Sequence, residues 1–347
     1  MSMAQQQSEG EGRAIGRRTF TWFKPRGRRP TEYELYTVGQ QSTPKEWLRV
    51  GWPLHFDDGR DPYVDESTKV RSSRWRDWRD PFQVWQRPYV QAANFEEQAL
   101  DRLVPAALAG DELQAINPAW LREVVGKYYA AWPYAEYGLF LCLCYAVREA
   151  LADTVMFALA YETTDKLRHQ QDVVRFLLDL QDLDATFSDD GARDAWMSDP
   201  ALVPARENIE RIFSLNDWAE IVVAINLAFE PLVGTLVKDE FLARNASHNG
   251  DPVTPMILAA VRRDTERHLR TTSDFVRFLA SDPDFGTANR RVLSRWARHW
   301  TQESVKAAEA ASALFQTSGI TLVDNADVAL ARVISAQTAL VQELGID

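Results

Sequence analysis

Two pentapeptides of the form Asp-x-x-Arg-His, 99 residues apart, constrain this chain more than any other feature. They are Asp165-Lys166-Leu167-Arg168-His169 and Asp264-Thr265-Glu266-Arg267-His268. Each lies in a stretch with helical periodicity, TVMFALAYETTDKLRHQQDVVRFLLDL and TPMILAAVRRDTERHLRTTSDFVRFLA. Four-helix bundles that hold two metal ions place Glu-x-x-His on each of two helices. Residues three apart then project into the core one turn above the other. The ligand carboxylate belongs three residues before each histidine. Lys166 and Thr265 stand there instead, an ammonium that cannot bind a metal and a neutral side chain with no carboxylate. The frame of a metal site occurs twice, and its carboxylate is missing both times.

This pattern resembles the non-catalytic beta (small) chain of bacterial multicomponent monooxygenases, the soluble methane, toluene, phenol and propane hydroxylases. In the catalytic alpha chain of that family each helix carries Asp-Glu-x-Arg-His, with Glu and His on iron and Asp and Arg behind them. The resemblance implies a metal-free paralogue with the same fold. The first ligand position then falls on Glu136 in PYAEYGLF, 33 residues before His169. The remaining one falls between 225 and 230, with Ile225 in the preferred register and Glu230 a nearby, offset carboxylate. Vestigial metal positions are therefore Glu136, Lys166, His169, Thr265 and His268, backed by Asp165, Arg168, Asp264 and Arg267. FTWFKPRGRRPTEYELYTVGQQ and the following STPKEWLRVGWPLHFDDGR look like the small hydroxylase subunit of actinobacterial propane, acetone-phenol and tetrahydrofuran monooxygenases.

What the resemblance implies is a two-alpha, two-beta hydroxylase with a second beta chain. A reductase carrying flavin and iron-sulfur passes electrons from NADH to the di-iron centre of the alpha chain, and a small coupling protein gates the reaction. One oxygen of O2 enters a C–H bond of a small alkane, ketone or phenol. The beta chain itself would hold no cofactor and no catalytic group.

Composition bounds the alternatives. The formal net charge of −11 argues against a nucleic-acid partner. The longest strongly apolar run, 137–147, is shorter than the roughly 20 residues a membrane span needs. Cys142 and Cys144 in LFLCLCYAV point to different faces of one helix, so buried apolar thiols are expected rather than a disulfide or zinc site. Two reduced cysteines and a polar N-terminus without a signal core fit a cytoplasmic protein.

An all-α, ferritin-like bundle is expected, with three parts: a disordered tail (1–18), an extended arm (19–92) and a helical domain lacking the metal site (93–347). The arm holds six of the 12 tryptophans among frequent prolines. Prolines so spaced prevent long helices, and aromatics so frequent must pack on something. The arm is therefore expected to order only against other chains, with Phe20, Trp22, Phe23, Tyr33, Tyr36, Trp47 and Trp52 as contact residues. Seven basic residues and no acid between 13 and 30 suit an acidic partner surface or a solvated tail. Helix is expected from about Asn94, with Asn117-Pro118 and Thr254-Pro255 opening two of the elements.

Inside the bundle, Glu136 stripped of iron is costly to bury, so Lys166 is expected to pair with it. Arg168 and Arg267 are expected to bind the Asp of the opposite pentapeptide, specifying register more than adding stability. Two other readings compete. A self-standing di-iron or di-manganese oxidase, or ribonucleotide-reductase-like protein, would draw on Glu136, His169 and His268, with Glu162, Glu230 or Glu266 as further candidates and Lys166 beside its metals. A helical scaffold unrelated to oxygenases would make both pentapeptides coincidental.

Overall fold

Apolar residues spaced three and four apart become helix along most of the chain. The computed structural model describes Pro25, 27–40 and 65–347, and no strand occurs among those residues. Near the N-terminus α1 (Glu32–Thr37) is one short helix closed by a capping box. Thr31 Oγ1 accepts from the Glu34 N–H at 3.2 Å and Glu34 Oε2 accepts from the Thr31 N–H at 3.0 Å. α2 (Gln86–Leu100) and α3 (Leu103–Ala109) follow. A π-helical segment, Trp120–Tyr129, then runs straight into α4 (Ala130–Glu149), and a three-residue link turns the chain back into α5 (Asp153–Leu183). Two shorter helices, α6 (Gly191–Ser198) and α7 (Val203–Phe213), lead to α8 (Trp218–Ala224). α8 continues through two π-helical segments, Ile225–Gly234 and Leu236–Ala243. α9 (Thr254–Ala280), α10 (Gly286–Ala311) and α11 (Ala326–Leu344) complete the fold.

α4, α5, the α8 continuation and α9 form the inner bundle, and α7, α10 and α11 close around the α8 continuation. The core that results contains Trp120, Trp132, Trp218, Leu139, Phe229 and Phe241, all fully buried. The element from Trp218 to Asn249 is longer than the 137–147 run singled out from sequence. With a mean hydropathy of 1.7 over its most apolar window it meets the length and composition of a membrane span. That window is 89% buried, which is the environment of a helix wrapped by other helices.

Several boundaries move from where sequence put them. Helix begins at Gln86, not near Asn94, so a division at 92/93 would cut α2. Asp251, rather than Thr254, meets the free amides at the start of α9: its Oδ1 accepts from Val253 and Thr254 N–H at 3.0 Å. Cys142 is buried, and burial pushes its thiol up to about 12, whereas Cys144 is exposed and not the buried thiol expected.

The largest correction concerns the arm. Its described part packs on the chain's own bundle. Phe20, Trp22, Phe23, Trp47 and Trp52 lie outside the described residues. Tyr33 is buried within this chain, with its hydroxyl accepting from the Asp80 N–H at 3.0 Å. Tyr36 stays largely exposed and stacks on Trp85. The stretch 65–85 forms a strap with almost no regular structure, and its backbone finds partners on helix ends. Lys69 N–H donates to Asp217 at 2.7 Å, Arg71 N–H to Asn289 at 2.9 Å and Ser73 N–H to Asp282 at 3.1 Å. Trp78 is the strap's anchor. Its ring meets Phe275 edge-on, its Nε1 donates to Asp274 at 3.0 Å, and its carbonyl accepts from Thr154 at 3.0 Å.

Trp78→Ala should therefore lower the unfolding free energy by about 3–5 kcal/mol, since it opens a cavity where the strap crosses the bundle. Urea denaturation of the single chain is the measurement, and an unshifted midpoint would show that the strap is held elsewhere.

Candidate functional site

Four helices bring the two pentapeptides face to face. α5 supplies Asp165, Lys166, Arg168 and His169, and α9 supplies Asp264, Thr265, Arg267 and His268. Asp165 is fully buried and collects four donors. Tyr89 Oη lies at 2.7 Å, Arg168 Nη1 at 3.0 Å and His268 Nε2 at 2.9 Å, and Arg267 Nη2 makes the fourth contact. Asp264 receives His169 Nε2 at 3.2 Å, Arg267 Nη2 at 3.2 Å and Arg168 Nη1 at 3.5 Å. Each arginine and each histidine thus reaches the aspartate of the opposite helix. Both crossed arginine contacts expected from sequence are present. The histidines are part of the same cross-latch.

One layer deeper lie four buried charges. Lys166 touches Glu230, and its Nζ is 3.3 Å from Glu136 Oε2. That second contact is ionic without hydrogen-bond geometry, because Glu136 Oε2 has no hydrogen-bond partner. Lys238 Nζ donates to Glu230 Oε2 at 2.8 Å and to Glu136 Oε1 at 3.2 Å. Trp132 Nε1 adds a further bond to Glu136 Oε1 at 2.9 Å. None of the four charged residues is more than 4% exposed. Two ammonium groups and two carboxylates leave the quartet neutral.

The expected Glu136–Lys166 pair is present, but it is half of the arrangement. Glu230, not Ile225, is the carboxylate in the centre; Ile225 is buried among apolar side chains. Ile225–Gly234 is π-helical, with wider turns than an α-helix, and it brings Glu230 rather than Ile225 to the centre. Gly234 belongs to the same device, because a Cβ there would overlap the Glu230 carboxylate. Lys238 went unrecognised. Its only sequence signal is a cation inside the apolar run GTLVKDEFLA. Glu162 is also buried but stands apart, accepting from Asn226 at 2.8 Å, while Glu266 is exposed. Thr265 closes its hydroxyl on the Val261 carbonyl at 2.9 Å.

A methane/phenol/alkene hydroxylase family model matches residues 52–283. The chain belongs to the methane, phenol and alkene hydroxylase family. The propane 2-monooxygenase hydroxylase small subunit of Rhodococcus jostii is 31% identical, covering 95% of this chain and 89% of that one. The methane monooxygenase component A beta chain of Methylosinus trichosporium is 30% identical, over 82% of this chain and 75% of its own. Among solved structures, phenol hydroxylase from Pseudomonas sp. OX1 superposes with a TM-score of 0.75 at 17% identity, covering 94% of this chain and 97% of that one. That likeness extends to the ferritin-like fold alone.

The residues of this hydroxylase-family chain do not fit a pair of irons. Lys166 and Lys238 place their charges between Glu136 and Glu230, and Thr265 offers no carboxylate. Burial raises Glu136, but Lys166, Lys238 and His169 overcome it and hold the carboxyl well below its ordinary range. Glu230 follows the same balance: burial pushes it up, and the two lysines bring it below its ordinary value. Burial would lower Lys166, yet Glu136 and Glu230 carry it above its ordinary value. Glu136, Glu230 and Lys166 are therefore kept charged by their neighbours. His169 is raised to about 9: burial lowers it, and its hydrogen bond to Asp264 together with the Glu136 carboxylate 3.8 Å away more than reverse that.

Lys166→Ala should cost about 3–5 kcal/mol, because it strands buried carboxylate charge. A Lys166→Met, Glu230→Leu double variant should recover much of that loss in the same urea titration. A Lys166→Ala midpoint equal to that of the parent would place the quartet outside the cooperative core.

His169 predicts a pH dependence of defined sign. Its proton is held more tightly in the folded chain, near 9, than at its ordinary 6.5. The stabilisation is full below about 6.5 and is lost as pH rises through 9. His169→Gln should flatten the fall in unfolding free energy between those values, and an identical slope in both proteins would remove the assignment.

Proposed function

We propose that this chain is the non-catalytic small subunit of a multicomponent di-iron hydroxylase of the propane monooxygenase kind. The single observation that carries this reading is the lysine pair Lys166 and Lys238 neutralising Glu136 and Glu230 at the bundle centre. A fold built to hold redox metals has there a set of charges that is complete without them. Its relatives in Rhodococcus jostii, Gordonia and Methylosinus, which it matches over most of their length, are named as small or beta subunits of such hydroxylases.

In this reading the chain contributes a rigid helical frame to an assembly of two large and two small chains in the cytoplasm. Iron sits in the large subunit. A reductase with flavin and iron-sulfur draws electrons from NADH, and a coupling protein regulates the large subunit. The substrate is a small alkane, ketone or phenol, met in a pocket of the other chain. A self-standing di-iron oxidase is poorly supported, because two ammonium groups fill the charge-balancing role of the cations.

Chain expressed alone in iron-rich medium should carry far less than one iron per polypeptide by elemental analysis. Co-expression with the large subunit should yield a stable complex whose iron stays with that subunit after separation. Two irons per isolated small chain would overturn the reading.

A further inference from the structure

The outer side of α5 carries two adjoining troughs that the buried machinery does not use. One, of about 540 Å³, lies between α5 and the α2–α3 pair, with Val104, Leu108 and Phe176 among its lining. The other, of about 500 Å³, lies between α5, α4 and α6, with Pro133, Tyr134 and Tyr137. Leu178 borders both troughs, and it is 54% exposed. Tyr134 and Tyr137 are also exposed, at 41% and 45%. Large apolar side chains gathered on one face of a helix pair are a costly surface to leave in water.

Charge on this face is one-sided. Asp101, Asp179 and Asp182 edge the first trough, and Asp189 and Asp190 the second. Arg175 and Arg193 are the cations lining the two troughs, and Arg175 is already engaged by Glu97 and Asp101. An apolar centre inside an acidic edge fits a partner with aromatic or aliphatic anchors flanked by lysine or arginine. A second copy of this chain is disfavoured, since it would set the same acidic edge against itself.

We propose that the outer face of α5, with its two troughs, seats an apolar, basic-flanked helix of the large hydroxylase subunit. This rests on the small-subunit reading above. Leu178 and Tyr137 act as the apolar contacts, and Asp179 and Asp182 pair with the flanking cations. Helix-in-groove docking of this kind reads side chains at three- and four-residue spacing, which matches Val174 and Leu178 along α5.

The test uses the full chain co-expressed with the large subunit, and binding is read by sedimentation of the complex. Leu178→Asp should weaken the complex at least about thirtyfold, as loss of a central contact does. Asp179→Lys with Asp182→Lys alters only exposed positions and leaves the helical circular dichroism unchanged. It should weaken binding about tenfold at low salt, with the difference shrinking at high salt. Phe213→Asp, an exposed site elsewhere, should bind as the parent does. If the parent complex forms and all three variants bind within about twofold of it, the face is wrong and the subunit reading survives. If the parent forms no complex with the large subunit, both fall together. A parent that sediments alone as a dimer, with Leu178→Asp monomeric, would assign the face to self-association and overturn the proposal.

Discussion

Two lysine ammonium groups buried among two glutamates form the constraint to which the surrounding helices are fitted. Desolvating four charges is expensive, and their mutual attraction offsets it only if all four are in place. Lys166 comes from α5, Glu136 from α4, and Glu230 and Lys238 from successive π-helical segments. Three chain segments must therefore dock in one register before any of these groups is satisfied. Such a quartet penalises every misregistered packing more than it rewards the right one. The wide turns around Glu230, and the missing side chain at Gly234, give its carboxylate room to reach the lysines.

The layer above the quartet performs the same task for the fourth helix. Asp165 and Asp264 face arginine and histidine from across the bundle, so α5 and α9 are latched by reciprocal bonds with an approximate two-fold relation. Tyr89 on α2 breaks that symmetry by bonding only to Asp165. Arg168 continues outward to Glu96 and Glu97, which ties α2 to the same network. Order thus passes from the buried charges to α2, and from there to the strap that Trp78 pins on α9.

The fold was legible because long amphipathic helices announce themselves by period, and the cross-latch because its residues sit in two near-identical pentapeptides. What escaped had physical causes. The register implied by the resemblance puts Ile225 at the ligand place, whereas the wide π-helical turns bring Glu230 to the centre. Lys238 was missed because a single lysine in an apolar helix carries no spacing partner. The strap was assigned to other chains because its tryptophans showed no period of their own. Its partners are helix-end side chains, Asp217, Asn289 and Asp282, more than 140 residues away in sequence. Non-local bonds between an irregular segment and helix termini leave no local pattern to find.

The lysine pair also changes what the chain's stability depends on. A bundle whose carboxylates are held by bound ions gains stability in proportion to the logarithm of free ion concentration. Covalently attached ammonium groups have no such dependence, because they are synthesised with the chain and cannot dissociate. Scarcity of iron in the cell then leaves this polypeptide's folding untouched. The charge balance at the bundle centre is complete as soon as the chain has folded.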